Sequence, residues 1–195
     1  MEKILSEKKV DIHSFIKNTS KKSVILLNNL IENGIKNIGE FYIDCSTLED
    51  YNFVDIRYSD KFKDLFTKLM KFEGPCLYYF TITSGHLPQE IITEIQKYAT
   101  TEASKSIPAI KSKVPNSNIL YVGKVKRGMW GRLIQHLGFY KVKGTQGLQL
   151  YYWTQELKLS VKLTVLEFEP EMIDLISFFE NELAKELNPI LGKHK

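Results

Sequence analysis

Residues Cys76–Thr83 read CLYYFTIT, a run of aromatic, aliphatic and β-branched side chains without a charge. That composition demands a buried strand, and a buried strand demands partners for its backbone N–H and C=O groups. The chain supplies candidates. Ile119–Val122 is a second short strand, and Leu148–Thr154 and Val161–Phe168 alternate like two more. Upstream, Phe41–Cys45 and Phe53–Tyr58 are shorter strand-like pieces. Helical periodicity marks Lys22–Lys36, where Val24, Leu27, Leu30, Ile31 and Ile35 share a face. Ser59 or Asp60 caps a helix running through Phe62, Leu65, Phe66 and Leu69. Further helices are expected over Gln89–Ala99, Gly128–Leu137 and Glu171–Leu187, the last stopped by Pro189. Residues 101–118 are polar, carry Pro108 and Pro115, and read as a loop. The expected class is α+β: a small, mainly antiparallel central sheet flanked by helices. Residues 1–71 read as an accessory region and 72–195 as the domain that carries the chemistry, and no internal repeat divides them.

The 195 residues are 43% hydrophobic and 26% charged, enough to bury a core and unlike a disordered chain. No apolar run reaches the length of a membrane span, and the charged N-terminus is no signal peptide. Cys45 and Cys76 offer neither a disulfide framework nor a zinc pattern. Both are expected as buried free thiols in a reducing, cytoplasmic setting. The net charge of +4 is unevenly spread. Thr100–Gly147 carries nine Lys or Arg against the single acid Glu102, while the flanking parts sum to −1 and −3. The same stretch holds Trp130, Phe139, Tyr140 and several glycines. Basic side chains among glycine turns favour a polyanion, because phosphate binding releases counterions.

Three places concentrate polar chemistry. On the last helix, Leu175, Ile176, Phe179, Leu183 and Leu187 form one apolar stripe, with Glu171, Glu182 and Glu186 away from it. Glu180 falls on the edge of the stripe. A carboxylate there loses water and needs a cation, either a neighbouring Lys or Arg or a metal ion. On the short helix, Trp130, Leu133, Ile134 and Leu137 face one way, and Arg132 and His136, four apart, share the opposite face. A guanidinium beside an imidazole suits a phosphate. Ahead of that helix, Tyr121-Val122-Gly123-Lys124 ends a strand on a glycine that lets the backbone come close to a ligand. Tyr78 lies in the preceding strand. His13 carries no pattern.

The order of the segments GPCLYYF, ILYVGKVKRGMWGRLIQHLG and FFENELAKELNPILGKHK resembles the GIY-YIG nuclease family over about residues 74–195. Pro75-Cys76-Leu77-Tyr78 stands where the family has its first motif, with Cys76 for the usual glycine and Leu77 for isoleucine. Tyr121-Val122-Gly123 is close to the second motif. Arg132 falls at the helix arginine. Phe179-Glu180-Asn181-Glu182-Leu183 looks like the segment that supplies the metal-binding glutamate. Two departures stand out. Gly192 occupies the place of a frequent asparagine, for which Asn188 or His194 are the nearby substitutes. The distance from Tyr78 to Tyr121 is long, so residues 84–118 form an insertion.

The resemblance implies a metal-dependent DNA endonuclease with Tyr78, Tyr121, Arg132, His136 and Glu180 in its catalytic site. Glu180 would hold Mg²⁺, or Mn²⁺ in its place. It leaves open which tyrosine takes the proton from water; Lys124 is expected to assist it. Lys124, Lys126, Arg127, Lys141 and Lys143 would contact DNA, expected to be double-stranded. A restriction or defence enzyme is the first reading. A structure-specific repair or mobile-element nuclease is the second, and a catalytically degraded nucleic-acid-binding module the third. No separate C-terminal DNA-binding domain is expected. Dimerisation would suit double-strand cleavage, though no residue specifies it.

Overall fold

The computed structural model describes residues 10–102, 104–140, 144 and 146–193. It divides into two compact units, Met1–Gly34 and Ile35–Lys195. The first holds helix α1, Ile12–Asn33. This helix begins ten residues before the apolar periodicity at Lys22 suggests. The reason is an N-cap: the Asp11 carboxylate accepts from the backbone N–H groups of His13 and Ser14. None of its residues is buried.

The second unit is built on a four-stranded sheet of β1 (Asn37–Asp44), β2 (Cys76–Ile82), β3 (Ile119–Val125) and β4 (Ser160–Glu167). The order is β1-β4-β2-β3, and every pairing is antiparallel. The α+β class read from the sequence is therefore the observed one. CLYYFTIT forms the inner strand β2, flanked by β4 and β3. The boundary expected near residue 71 moves to Gly34/Ile35, because β1 pairs with β4 along its whole length and belongs to the sheet.

Helices cover both faces. On one, α6 (Ile176–Leu187) packs on β3 and β2, with Ala184, Leu183 and Leu187 against Tyr79, Ile119 and Val122. The other face carries the main core. There α2 (Lys63–Leu69), α3 (Pro88–Ala99), α4 (Met129–Leu137) and α5 (Leu150–Trp153) meet Phe80, Leu163 and Val165. The insertion is thus partly core: Ile91, Ile92, Ile95 and Tyr98 of α3 are buried, and Tyr98 stacks on Tyr152. Its later part is tied down as well. Ile110 bridges Leu191, which in turn bridges Tyr121.

Four local expectations change. Phe53–Tyr58 is not a strand. The Asp55 carboxylate accepts from the backbone N–H of Arg57 and turns the chain into a 3-10 helix, Ile56–Tyr58. Leu148–Thr154 alternates like a strand, but Gln149 adopts a left-handed backbone (φ 57°) and the chain coils into α5. The helix expected over Glu171–Leu187 starts as a 3-10 turn, Pro170–Asp174, and becomes α-helical at Ile176. Finally, α2 begins at Lys63 with Phe62 at its N-cap and no side-chain cap, and Asp60 pairs with Lys63 instead. Cys45 and Cys76 are free and buried, and burial pushes both thiols up to about 12.

Candidate active site

Strand register sets the first layer. Tyr78 lies opposite Gly123 and Phe80 opposite Tyr121, so both tyrosines project from the face that carries α4. Gly123 is needed there. A Cβ would stand 2.5 Å from the Tyr78 hydroxyl and 2.7 Å from Tyr121 Cε1. On α4, Arg132 and His136 turn towards these rings, and Gly128 before the helix takes the left-handed conformation (φ 68°).

The Tyr78 hydroxyl is the hub. Arg132 Nε donates to it at 2.8 Å, and His136 Nε2 lies 2.9 Å away. The backbone N–H of Leu148 donates to His136 Nδ1 at 3.2 Å, so Nδ1 carries the lone pair and Nε2 the proton. The Tyr78 oxygen therefore accepts twice. Tyr121 completes the cluster with its ring centroid 5.2 Å from His136 and 6.2 Å from Tyr78. Burial, then Tyr121, pushes the Tyr78 phenol above its ordinary value, while Arg132 opposes them. Burial pulls the Arg132 guanidinium down, but Tyr78 and Tyr121 hold it above its ordinary value.

His136 is fully buried, so α4 does not divide as its sequence suggests. Its core face is Met129, Leu133, His136 and Leu137, while Trp130 and Ile134 line a separate cavity beside Arg57. Burial, then Arg132, holds the imidazole well below its usual range and keeps it neutral. The unfolded chain binds a proton at this position below pH ~6.5, and the folded chain does not. Stability is therefore complete above that pH and falls as the pH drops below it, by up to ~1.4 kcal/mol per pH unit. Urea unfolding at pH 7.5 and pH 5 should show this loss, and His136→Gln should reduce it. Equal pH slopes in the two proteins would deny that His136 is buried neutral.

Glu180 reaches the region from α6. It is 8% exposed, and its Oε2 accepts from the Lys124 ammonium. Lys124 lies opposite Leu77, on the sheet face away from Tyr78. Glu180 makes no hydrogen bond to Tyr78, Tyr121, Arg132 or His136, but its negative charge adds to the upward push on the Tyr78 phenol. Four of the five expected catalytic residues thus share one cluster. The fifth is paired with Lys124 on the sheet face that carries α6, and that pairing leaves Lys124 engaged with Glu180 rather than with a tyrosine. Among the described residues, no group of three or more His, Cys, Asp or Glu gathers.

Lys126 and Arg127 are exposed on the turn between β3 and α4 and form no ion pair with a described residue. Lys141, Lys143 and His194 lie outside the described residues. Asn188 caps α6 in a left-handed conformation and accepts from Lys111 at 3.3 Å. Gly192 has φ 120°, a backbone that disfavours an asparagine there. Three supporting groups escaped the sequence. Gln135 Oε1 and the Gln146 carbonyl accept from Arg132 Nη1 at 2.7 and 2.9 Å, and the Leu148 N–H holds His136. Gln135, three residues after Arg132 on the helix, was the one with a spacing signal.

No family model, curated protein or solved structure matches the chain. No helix among the described residues is long and apolar enough to cross a membrane.

Proposed function

We propose that the chain is a metal-dependent endonuclease that hydrolyses phosphodiester bonds in double-stranded DNA, of the restriction or defence type. The observation that carries this reading is the Tyr78 hydroxyl held between Arg132 and His136, with Tyr121 beside it and no side chain at Gly123. A half-buried guanidinium that is already oriented can neutralise the charge that grows on a pentacoordinate phosphate. Tyr78 has both acceptor positions filled and is fully buried, which makes it a hydrogen-bond donor rather than a base. Tyr121, 9% exposed, would take the proton from the attacking water as the phenolate, after releasing its own proton to solvent. Neutral His136 fixes Tyr78, and Lys126 and Arg127 hold flanking phosphates.

Glu180 fits a divalent cation. It is a buried carboxylate whose hydrogen bond, from Lys124, falls on Oε2 alone and leaves Oε1 as a metal donor. One carboxylate with water and phosphate oxygens is a normal set for Mg²⁺. Bound there, Mg²⁺ or Mn²⁺ would supply charge neutralisation at the phosphate and the leaving oxygen.

The test is incubation of the purified protein with supercoiled plasmid and Mg²⁺. Nicked or linear products are expected, blocked by EDTA and abolished by Glu180→Gln with DNA binding retained. Discrete fragments would mark sequence specificity. A smear or nicking alone would move the reading to a structure-specific repair or mobile-element enzyme. DNA binding without cleavage would leave a nucleic-acid-binding module, the reading that the Lys124–Glu180 pair favours.

A further inference from the structure

Lys124 follows Gly123 in β3, and its ammonium is bonded to Glu180 Oε2, with the two side chains 32% and 11% exposed. The pair is hidden enough for each charge to depend on the other. The protein therefore offers a divalent ion one carboxylate, and that carboxylate already holds a cation. Among the described residues, no group of three or more His, Cys, Asp or Glu gathers around it to form a full ligand set. Mg²⁺ keeps six oxygen ligands, so here nearly all must come from water or substrate. In the DNA-free protein the ion must displace the ammonium or sit beside it, and at these distances like charges repel strongly.

A backbone phosphate changes both conditions. Its oxygens complete the ion's shell, and its negative charge offers the ammonium another partner. Lys124 is well placed for that exchange, because the exposed Lys126 and Arg127 lie just beyond it on the turn that follows β3. We propose that Lys124 is a built-in counterion that keeps Glu180 closed to metal until DNA phosphate draws the ammonium away. Metal loading and DNA binding are then linked, and each strengthens the other. The proposal rests on the reading of Glu180 as the metal ligand.

The exchange is read by electron paramagnetic resonance of free Mn²⁺, titrated with the full-length protein. The titrations compare wild type, Lys124→Gln, Glu180→Gln and the double variant. Glutamine at 124 removes the charge but keeps a hydrogen-bond donor for Glu180. Lys124→Gln should bind Mn²⁺ about tenfold or more tightly than wild type, and the gain should vanish in the double variant. Wild type should gain affinity when a short phosphorothioate duplex is added, and Lys124→Gln should gain less. The wild-type comparison with and without duplex needs no variant to fold. Unchanged Mn²⁺ affinity in Lys124→Gln, with binding weakened in Glu180→Gln, overturns the counterion role and leaves Glu180 as a ligand. Mn²⁺ binding that never depends on Glu180, with or without duplex, removes the metal site itself.

Discussion

Arg132→Ala should lower the turnover of plasmid cleavage by about 10³-fold or more, the size expected when a fixed donor to a developing oxyanion is lost. That corresponds to ~4 kcal/mol of transition-state stabilisation. The guanidinium is held at three points: Nε on the Tyr78 hydroxyl, and Nη1 on Gln135 Oε1 and the Gln146 carbonyl. Tyr121 adds a further polar contact to the guanidinium. This orientation exists before substrate arrives, so little reorganisation is needed during reaction. Arg132→Lys keeps a charge but not the fork, and should recover only part of the loss. Truncation also strips Tyr78 of a donor, at a stability cost of about 1–3 kcal/mol. Thermal unfolding should therefore accompany the kinetics. The loss should fall on kcat rather than KM. Turnover near that of wild type in a folded variant would remove Arg132 from the site.

How much of this was legible in the sequence depends on how local each cause is. The strand CLYYFTIT declared itself by composition, and α4 by its periodicity. Arg132 and His136 could be paired because four residues is one helical turn, but not placed, since His136 joins Leu133 and Leu137 on the core face rather than opposing them. Glu180 showed its need for a cation by sitting on the edge of an apolar stripe. The cation that answers it, Lys124, is 56 residues away, and no local rule names it. The Leu148 N–H and the Gln146 carbonyl are backbone groups, so no side-chain pattern marks them. The false strand at Leu148–Thr154 has the same origin. Its alternation is real, but Gln149 in a left-handed backbone breaks the extended path. The misplaced domain boundary came from β1, whose partner β4 lies over a hundred residues later, with Glu40 opposite Thr164.

Gly123→Ala is expected to disable the site with one methyl group. The added Cβ would lie 2.5 Å from Tyr78 Oη, 2.7 Å from Tyr78 Cζ and 2.7 Å from Tyr121 Cε1. These are atoms of aromatic rings, which cannot flex as the end of a lysine can. Tyr78 cannot retreat either: it is fully buried, and its ring packs edge-on against Phe80 and His136. Either β3 moves away from β2 or the hydroxyl leaves Arg132 and His136. Overpacking of this kind costs about 1–3 kcal/mol of stability. A displacement of ~1 Å at the reacting groups is enough for a loss of about 10²-fold in rate. Gly131 supplies the comparison, since a Cβ there meets nothing within 4 Å. Gly131→Ala should raise helix stability by about 0.5–1 kcal/mol. Melting curves and cleavage rates of the two alanine variants separate steric conflict at the tyrosines from a general effect of replacing glycine. If Gly123→Ala melts like wild type and cleaves plasmid at the wild-type rate, the tight approach of Tyr78 to β3 is not what positions the site.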